Sequence, residues 1–382
     1  MAERAARLLF LASLVLLPWG ALLPLRALHE HACWGDVVFA RATLSWVATL
    51  ALERRLPRPR LVHAALGLYL LWAGVSFLWA SPRAGSGAAK LVGMAMLAAL
   101  LVVTSEMMRR PGMPAAIGRT LAATAFLSAL AAIAGVLLAL FGRTTPLVGL
   151  CGDLLPGPVS RAQAGFPHPN LLASFCVFAS AVVAREDAGL TRWMRRVVQC
   201  ALTAAVLLTT SRAILAFALS AAIRHAGTPG RRRFAKALAA VLVVAMAALT
   251  LVNLVMNPAR PWEARVGVGP SPRLEAAATS LDTLARRPWV GSGPGSLPGL
   301  RGRLPFDAHF TPLNVAATLG LPALGALVLL AVALWRARAR PTDRTTWGLL
   351  AALALDGLGQ DVEDFRHVWI ALGLADAGRR EE

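Results

Sequence analysis

For its length, this sequence has little charge. Only 15% of its 382 residues are Asp, Glu, Lys or Arg, where soluble domains carry about 25%. That deficit argues against a solvated surface wrapped around one large core. Acid is the scarcer sign, with 20 Asp and Glu against 39 Lys and Arg. Four cysteines occur with no C-x-x-C pair, which argues against a thiolate metal site or a dithiol redox centre. Cys176 and Cys200 lie in apolar runs, as small core residues do, whereas Cys33 and Cys151 fall in loops expected outside, leaving a disulfide between them open. Aromatic residues are sparse and no zinc-finger or RNA-recognition pattern appears, so the net charge of +19 does not indicate nucleic acid.

Apolar sequence is what the chain has in excess: 57% of residues are hydrophobic, with a mean hydropathy of +0.60. Runs long enough to cross a bilayer recur from end to end, which predicts a polytopic all-α membrane bundle of about twelve spans. The expected spans are 8–25, 36–52, 61–79, 89–105, 118–141, 169–184, 197–209, 212–223, 236–256, 312–335, 346–358 and 366–376. The first follows Arg4 and Arg7 as a signal peptide's apolar region would, but no small-x-small cleavage site comes after it. A retained helix is expected there. Without an internal repeat, residues 1–382 read as a single membrane domain carrying one insert, 257–308.

Basic residues set the orientation. Clusters such as Arg54/Arg55/Arg58/Arg60, Arg192/Arg195/Arg196 and Arg231/Arg232/Arg233 fall on one side, which the positive-inside rule assigns to the cytoplasm together with both termini. The bilayer then absorbs most of the basic excess. Residues 185–196 and 224–236 are both basic, so an even number of crossings joins them. Two helices of about 13 residues reach about 20 Å each, short of a ~30 Å hydrocarbon core. "TTSR" (209–212) is therefore expected at the apex of a short broken-helix pair, below the outer surface. Irregular backbone at that depth is tolerated only in a protein-lined or wet cavity. Arg212 cannot shed its proton, and a charge at bilayer depth costs at least ~2.5–3.5 kcal/mol, so it must face such a cavity or bind an anion.

The insert is expected on the outer face. Its bases are all arginine, Arg265, Arg273 and Arg286 among them, and a guanidinium fork matches phosphate oxygens in a way an ammonium does not. GC-rich codon usage would give the same bias. "RLEAAATSLDTLARRPW" has helical composition and "GSGPGSLPG" reads as a tight turn, without the βαβ context that a nucleotide-binding glycine motif needs.

Four stretches together resemble the O-antigen ligase/polymerase superfamily of bacterial envelope glycosyltransferases. They are "GFPHPNLLASF" (165–175), "LLTTSRAILAFA" (207–218), "SPRLEAAATSLDTLARRPWVGSGPGSL" (271–297) and "DAHFTPLNVAATLGLPALG" (307–325), in that order along about 160 residues. The chain departs from the family's pattern at Phe310, usually Asn, and at Ala277, usually Trp. The resemblance implies a multi-span inner-membrane enzyme of lipopolysaccharide biosynthesis, active at the periplasmic face. Its donor would be an undecaprenyl-pyrophosphate-linked glycan. Its acceptor would be lipid A-core for a ligase or another lipid-linked repeat for a polysaccharide polymerase, and the modest insert favours the ligase. Carried over motif by motif, the functional residues are Arg212, Arg273 and His309.

The chemistry needs such residues. Pyrophosphate leaving-group charge can be held by a divalent cation or by arginines aimed at the phosphates. No DxD-type pair stands at an outer mouth, and "DVED" (361–364) is the only dense acidic cluster, so no metal and no other cofactor is expected. Arg212 and Arg273, with Arg265 nearby in the insert, would then bind the donor. His309, with an ordinary pKa near ~6.5, suits a general base, although a helix-start histidine bonded to backbone has the same sequence. His168 lies between two prolines and is either structural or a second polar group of the cavity, with Asn170 a good N-cap for the helix that follows. From another class, a transporter of an anionic or lipid-linked sugar would also place an arginine at a helix break.

Overall fold

The computed structural model describes residues 2–25, 32–54, 60–79, 86–143, 145–151, 159–225, 233, 272–296, 309–337 and 344–378. They form thirteen α-helices and one antiparallel two-stranded ribbon. The helices before the ribbon are α1 (Ala2–Leu16), α2 (Trp34–Leu52), α3 (Leu61–Trp79), α4 (Ser86–Met108) and α5 (Met113–Leu140). The ribbon pairs β1 (Val148–Cys151) with β2 (Val159–Ala162). Next come α6 (Pro169–Ala184), α7 (Arg192–Thr209), α8 (Ala213–His225) and α9 (Pro272–Arg286). The last four are α10 (Thr311–Leu319), α11 (Leu321–Ala337), α12 (Arg344–Gly357) and α13 (Arg366–Ala377). Among the described residues, four helices are long and apolar enough to cross a membrane: Trp34–Leu52, Leu61–Trp79, Gly87–Met108 and Met113–Leu140. The expected span 236–256 and most of the insert lie outside the described residues, as does the side chain of Cys151.

The chain packs as two compact units interleaved in sequence. The first takes residues 1–49, 107–269 and 342–356. Its spine is α5, against which α1, α6 and α7 lie. Ala122, Ala125, Ala129 and Ala132 recur at helical spacing on the buried face of α5, letting neighbouring backbones approach closely. At Gly118 and Gly135 a side chain would overlap Ala188 and Leu147. α6 is buried along almost its whole length and packs on both α7 and α8, which touch each other sparsely.

Two expectations change here. The first helix stops at Leu16 and gives way to a 3-10 turn at Leu17–Trp19, so 8–25 is not one continuous helix. Pro18 offers no N–H to continue the helix, and Ala21 N–H instead donates to Gly165 O at 3.0 Å. Gly165, the glycine of "GFPHPN", lies so close to the Pro18 carbonyl and Trp19 that no side chain fits. The second change concerns α7. It begins at Arg192, so its 18 residues extend about 27 Å rather than the shorter reach expected.

The second unit takes residues 50–106, 270–341 and 357–382. α3 and α11 pack along each other, with α10 against both and α13 on α11. Charged groups fasten its two ends. At one, Arg60 donates to the buried Asp376 at 2.5 Å and lies 3.5 Å from Glu106. At the other, Lys90 at the start of α4 bonds both oxygens of Asp364 at 2.6 Å, and Tyr69 donates to Glu363 at 2.7 Å. Burial pushes the Glu363 carboxyl up from its usual range while Lys90 pulls it back. Tyr69→Phe leaves that buried carboxylate one donor short. It is expected to cost about 1.5–3 kcal/mol, read as an earlier denaturation midpoint in detergent.

A single span was expected over 312–335; the structure has two helices broken at Gly320, whose φ is 90° and ψ 169°. The turn after α9 explains the break. Ser292 and Gly293 N–H groups donate to the Ala317 and Thr318 carbonyls at 2.9 and 2.8 Å, and Leu321 N–H donates to Pro288 O at 2.8 Å. Ser76 of α3 donates to both Val290 O and Thr318 O. The last carbonyls of α10, which would lose their helical partners at a break, are thus satisfied from outside. The glycine-rich turn and the glycine eleven residues after His309 form one lock.

Candidate functional site

In the first unit the expected "TTSR" break is present between α7 and α8. Thr210 takes a left-handed conformation with φ 47°, costly for a β-branched residue, and ends α7. Ser211 is buried, and its Oγ accepts from Ala213 N–H at 3.3 Å, capping α8. Arg212 follows directly and is exposed, and among the described residues nothing hydrogen-bonds its guanidinium. The break is held from the other side by Arg161 on β2. Arg161 is only 9% exposed; its Nε donates to Thr209 O at 2.7 Å and its Nη2 to Asn170 Oδ1 at 2.9 Å.

His168, not Asn170, is the N-cap of α6. Its Nδ1 accepts from Asn170 N–H at 3.1 Å, which in the neutral ring leaves the proton on Nε2. Pro169 is the reason: preset for the first helical position, it starts the helix one residue earlier and puts Asn170 inside the first turn. The Asn170 side chain is then available to Arg161. His168 is exposed beside this arrangement.

In the second unit, Arg273 is the second residue of α9, its side chain outside the described residues, and Arg265 lies outside them altogether. α9 packs along α10, and the turn after α9 closes over the far end of α10. His309 immediately precedes the extended Phe310 that begins α10; it is half-buried and its backbone is left-handed, φ 46°. Histidine tolerates that region better than most residues do.

The acidic stretch 361–364 lies against this helix start. Thr311 Oγ1 accepts from Val362 N–H at 2.9 Å and donates to Gln360 O at 3.1 Å. Asn314 Nδ2 donates to Asp361 Oδ2 at 2.5 Å. Asp361, Glu363 and Asp364 are thus engaged by Asn314, Tyr69 and Lys90. Among the described residues no group of three or more His, Cys, Asp or Glu side chains could hold a metal ion.

The expected set is divided between the units: His168 and Arg212 in the first, Arg273 and His309 in the second. Sequence reasoning missed Arg161 and the loop fastened to α10. Each had a signal. Arg161 stands four residues before the "GFPHPN" motif, and Lys90 is one of only two lysines in a chain that otherwise uses arginine. No family model, no curated protein and no solved structure matches the chain, so the resemblance rests on its four motifs.

Proposed function

We propose that this chain is a metal-independent glycosyltransferase of the O-antigen ligase type, embedded in a bacterial inner membrane through about twelve spans. Both termini are cytoplasmic and the reaction runs at the periplasmic face. The observation that carries the reading is the helix break capped on both sides, which leaves the guanidinium of Arg212 exposed with no protein partner among the described residues. Such a cation at a helix break in an apolar chain suits an anion that arrives from outside it, and a lipid-anchored pyrophosphate is an anion that a membrane supplies. α9 and α10 add support. Packed side by side and joined at their C-terminal ends, they begin toward the same end, where one carries Arg273 and the other is preceded by His309.

In the proposed reaction an acceptor hydroxyl oxygen attacks the anomeric carbon of the donor glycan. The new glycosidic C–O bond forms as the C–O bond to pyrophosphate breaks, and the electron pair leaves on the pyrophosphate. By the resemblance, Arg212 and Arg273 would hold that charge and His309 would take the hydroxyl proton. Undecaprenyl pyrophosphate is the second product.

The test is a transfer assay with purified protein in detergent, an undecaprenyl-pyrophosphate-linked glycan and lipid A-core. Product is expected, and it should form equally well in EDTA. Activity lost on chelation and restored by Mg²⁺ or Mn²⁺ would remove the role given to the arginines. Product with a lipid-linked repeat but none with lipid A-core would make the chain a polymerase. Movement of the lipid-linked glycan across proteoliposomes, with no new glycosidic bond, would make it a transporter.

A further inference from the structure

We infer that Arg161 is a positioning residue for Arg212: it ties the end of α7 to the start of α6 and so fixes where the break presents the exposed guanidinium. The functional part of this inference rests on the pyrophosphate role proposed for Arg212, and the positional part does not.

The last carbonyls of a helix have no partner within it, and the dipole makes that end negative. At the end of α7 the Thr209 carbonyl is taken by Arg161 Nε at 2.7 Å, a charge-assisted bond at the terminus where a cation is favoured. The same guanidinium reaches Asn170 Oδ1 at 2.9 Å in the first turn of α6. A planar group with two donors in fixed relation sets the separation of its two acceptors, which a lysine ammonium could not do. Arg161 itself is anchored by β2, where it pairs with Gly149 across the ribbon. Three elements therefore meet at one buried side chain, which holds the Thr209 carbonyl three residues before Arg212.

The backbone between them agrees. A left-handed Thr210 persists only where its surroundings hold it, and here the carbonyl before it is gripped by Arg161. The residue after it, Ser211, is occupied in capping α8. With both neighbours fixed, Arg212 leaves the break in one direction. Without Arg161 the strained turn has a cheaper alternative, because Thr210 can return to an ordinary conformation and carry Arg212 with it.

An ordinary core-stabilising arginine would have the same bonds, so the test must separate position from packing. With the exposed Cys200 changed to serine, a cysteine in place of Arg212 (Arg212→Cys) gives a thiol whose reaction rate with an impermeant methanethiosulfonate reads the position of the break. Cys176, fully buried in α6, reports in the same molecule on whether the bundle remains packed. Adding Arg161→Met is expected to change the rate at position 212 by about fivefold or more, with Cys176 still protected. Arg161→Lys should fall between the two. A smaller change, or exposure of Cys176 together with it, overturns the inference, the second outcome making Arg161 a general stabiliser. In the chain that keeps Arg212, Arg161→Met should raise the KM for the lipid-linked donor more than it lowers kcat. Retained transfer in Arg212→Ala would sink the catalytic reading while leaving the thiol rates to decide the positional one.

Discussion

If the His309 imidazole is the base of the proposed reaction, replacing it with alanine is expected to slow glycan transfer by a factor on the order of 10²–10⁴ while leaving donor binding largely intact. The magnitude follows from what a positioned base supplies. An acceptor hydroxyl is a poor nucleophile until its proton has somewhere to go, and imidazole is the side chain most often used for that task. Position matters as much as pKa. The start of α10 is fastened to the loop 360–364 through Thr311 and Asn314, and His309 stands at that fixed start. Arg212→Ala should lose more than His309→Ala if the leaving group depends on that cation as proposed. Arg273→Lys keeps its charge but loses the fork, so it should be clearly impaired. Arg286→Ala serves as the control: Arg286 is exposed and already paired with Asp282 at 3.0 Å one turn away, and its loss should change little. If the control lost activity while the other three kept it, the site would be misassigned even with the reaction correct.

How much of this was legible depends on where the determining partner lies in the chain. Composition alone separates the helices. The apolar runs at 61–79 and 366–376 match α3 and α13 to within a residue, because the ends of those runs carry their own charge and turn signals. The "TTSR" break was also readable, since Arg212 interrupts an apolar run that lies between two basic clusters. What holds the break was not. Arg161 acts on a carbonyl 48 residues away, and its place just before the "GFPHPN" motif marks the residue without naming that partner.

Gly320 is the clearest case of the same limit. The run 312–335 carries no charged residue, so its hydropathy reads as one span. The break appears only when a turn some thirty residues earlier satisfies the carbonyls that a broken helix leaves open. The early end of α1 had a local cause in Pro18, but the carbonyl that holds the turn after it comes from position 165. The acidic stretch 361–364 looked like an isolated cluster in sequence. It acquires meaning from Lys90, Tyr69 and Asn314, which come from three other helices. Local pattern thus located the elements, while the interactions that break and fasten them are long-range pairings.

Gly320→Ala is expected to prevent the second unit from accumulating in folded form. Its φ of 90° lies where L side chains are strained, a cost of about 1–3 kcal/mol by itself. The added Cβ would also overlap the Trp289 carbonyl, and that carbonyl has little freedom to move. It accepts from Trp72 Nε1 at 2.8 Å, and its neighbours Pro288 and Val290 are bonded to Leu321 and Ser76. To relieve the overlap, the turn must leave the end of α10 and surrender bonds worth about 1 kcal/mol each, besides exposing carbonyls that the break leaves unpaired. The combined loss approaches the 5–15 kcal/mol that holds a typical domain together. Gly325→Ala, in α11 with nothing within 4 Å of the new methyl, makes the same chemical change without the conflict. It should be neutral or stabilising by up to about 1 kcal/mol. Yield of monodisperse protein in detergent and resistance to limited proteolysis distinguish the two. If Gly320→Ala matched Gly325→Ala in both, the turn could not be closing over α10 as the bond pattern requires, and α10 and α11 would be one continuous helix.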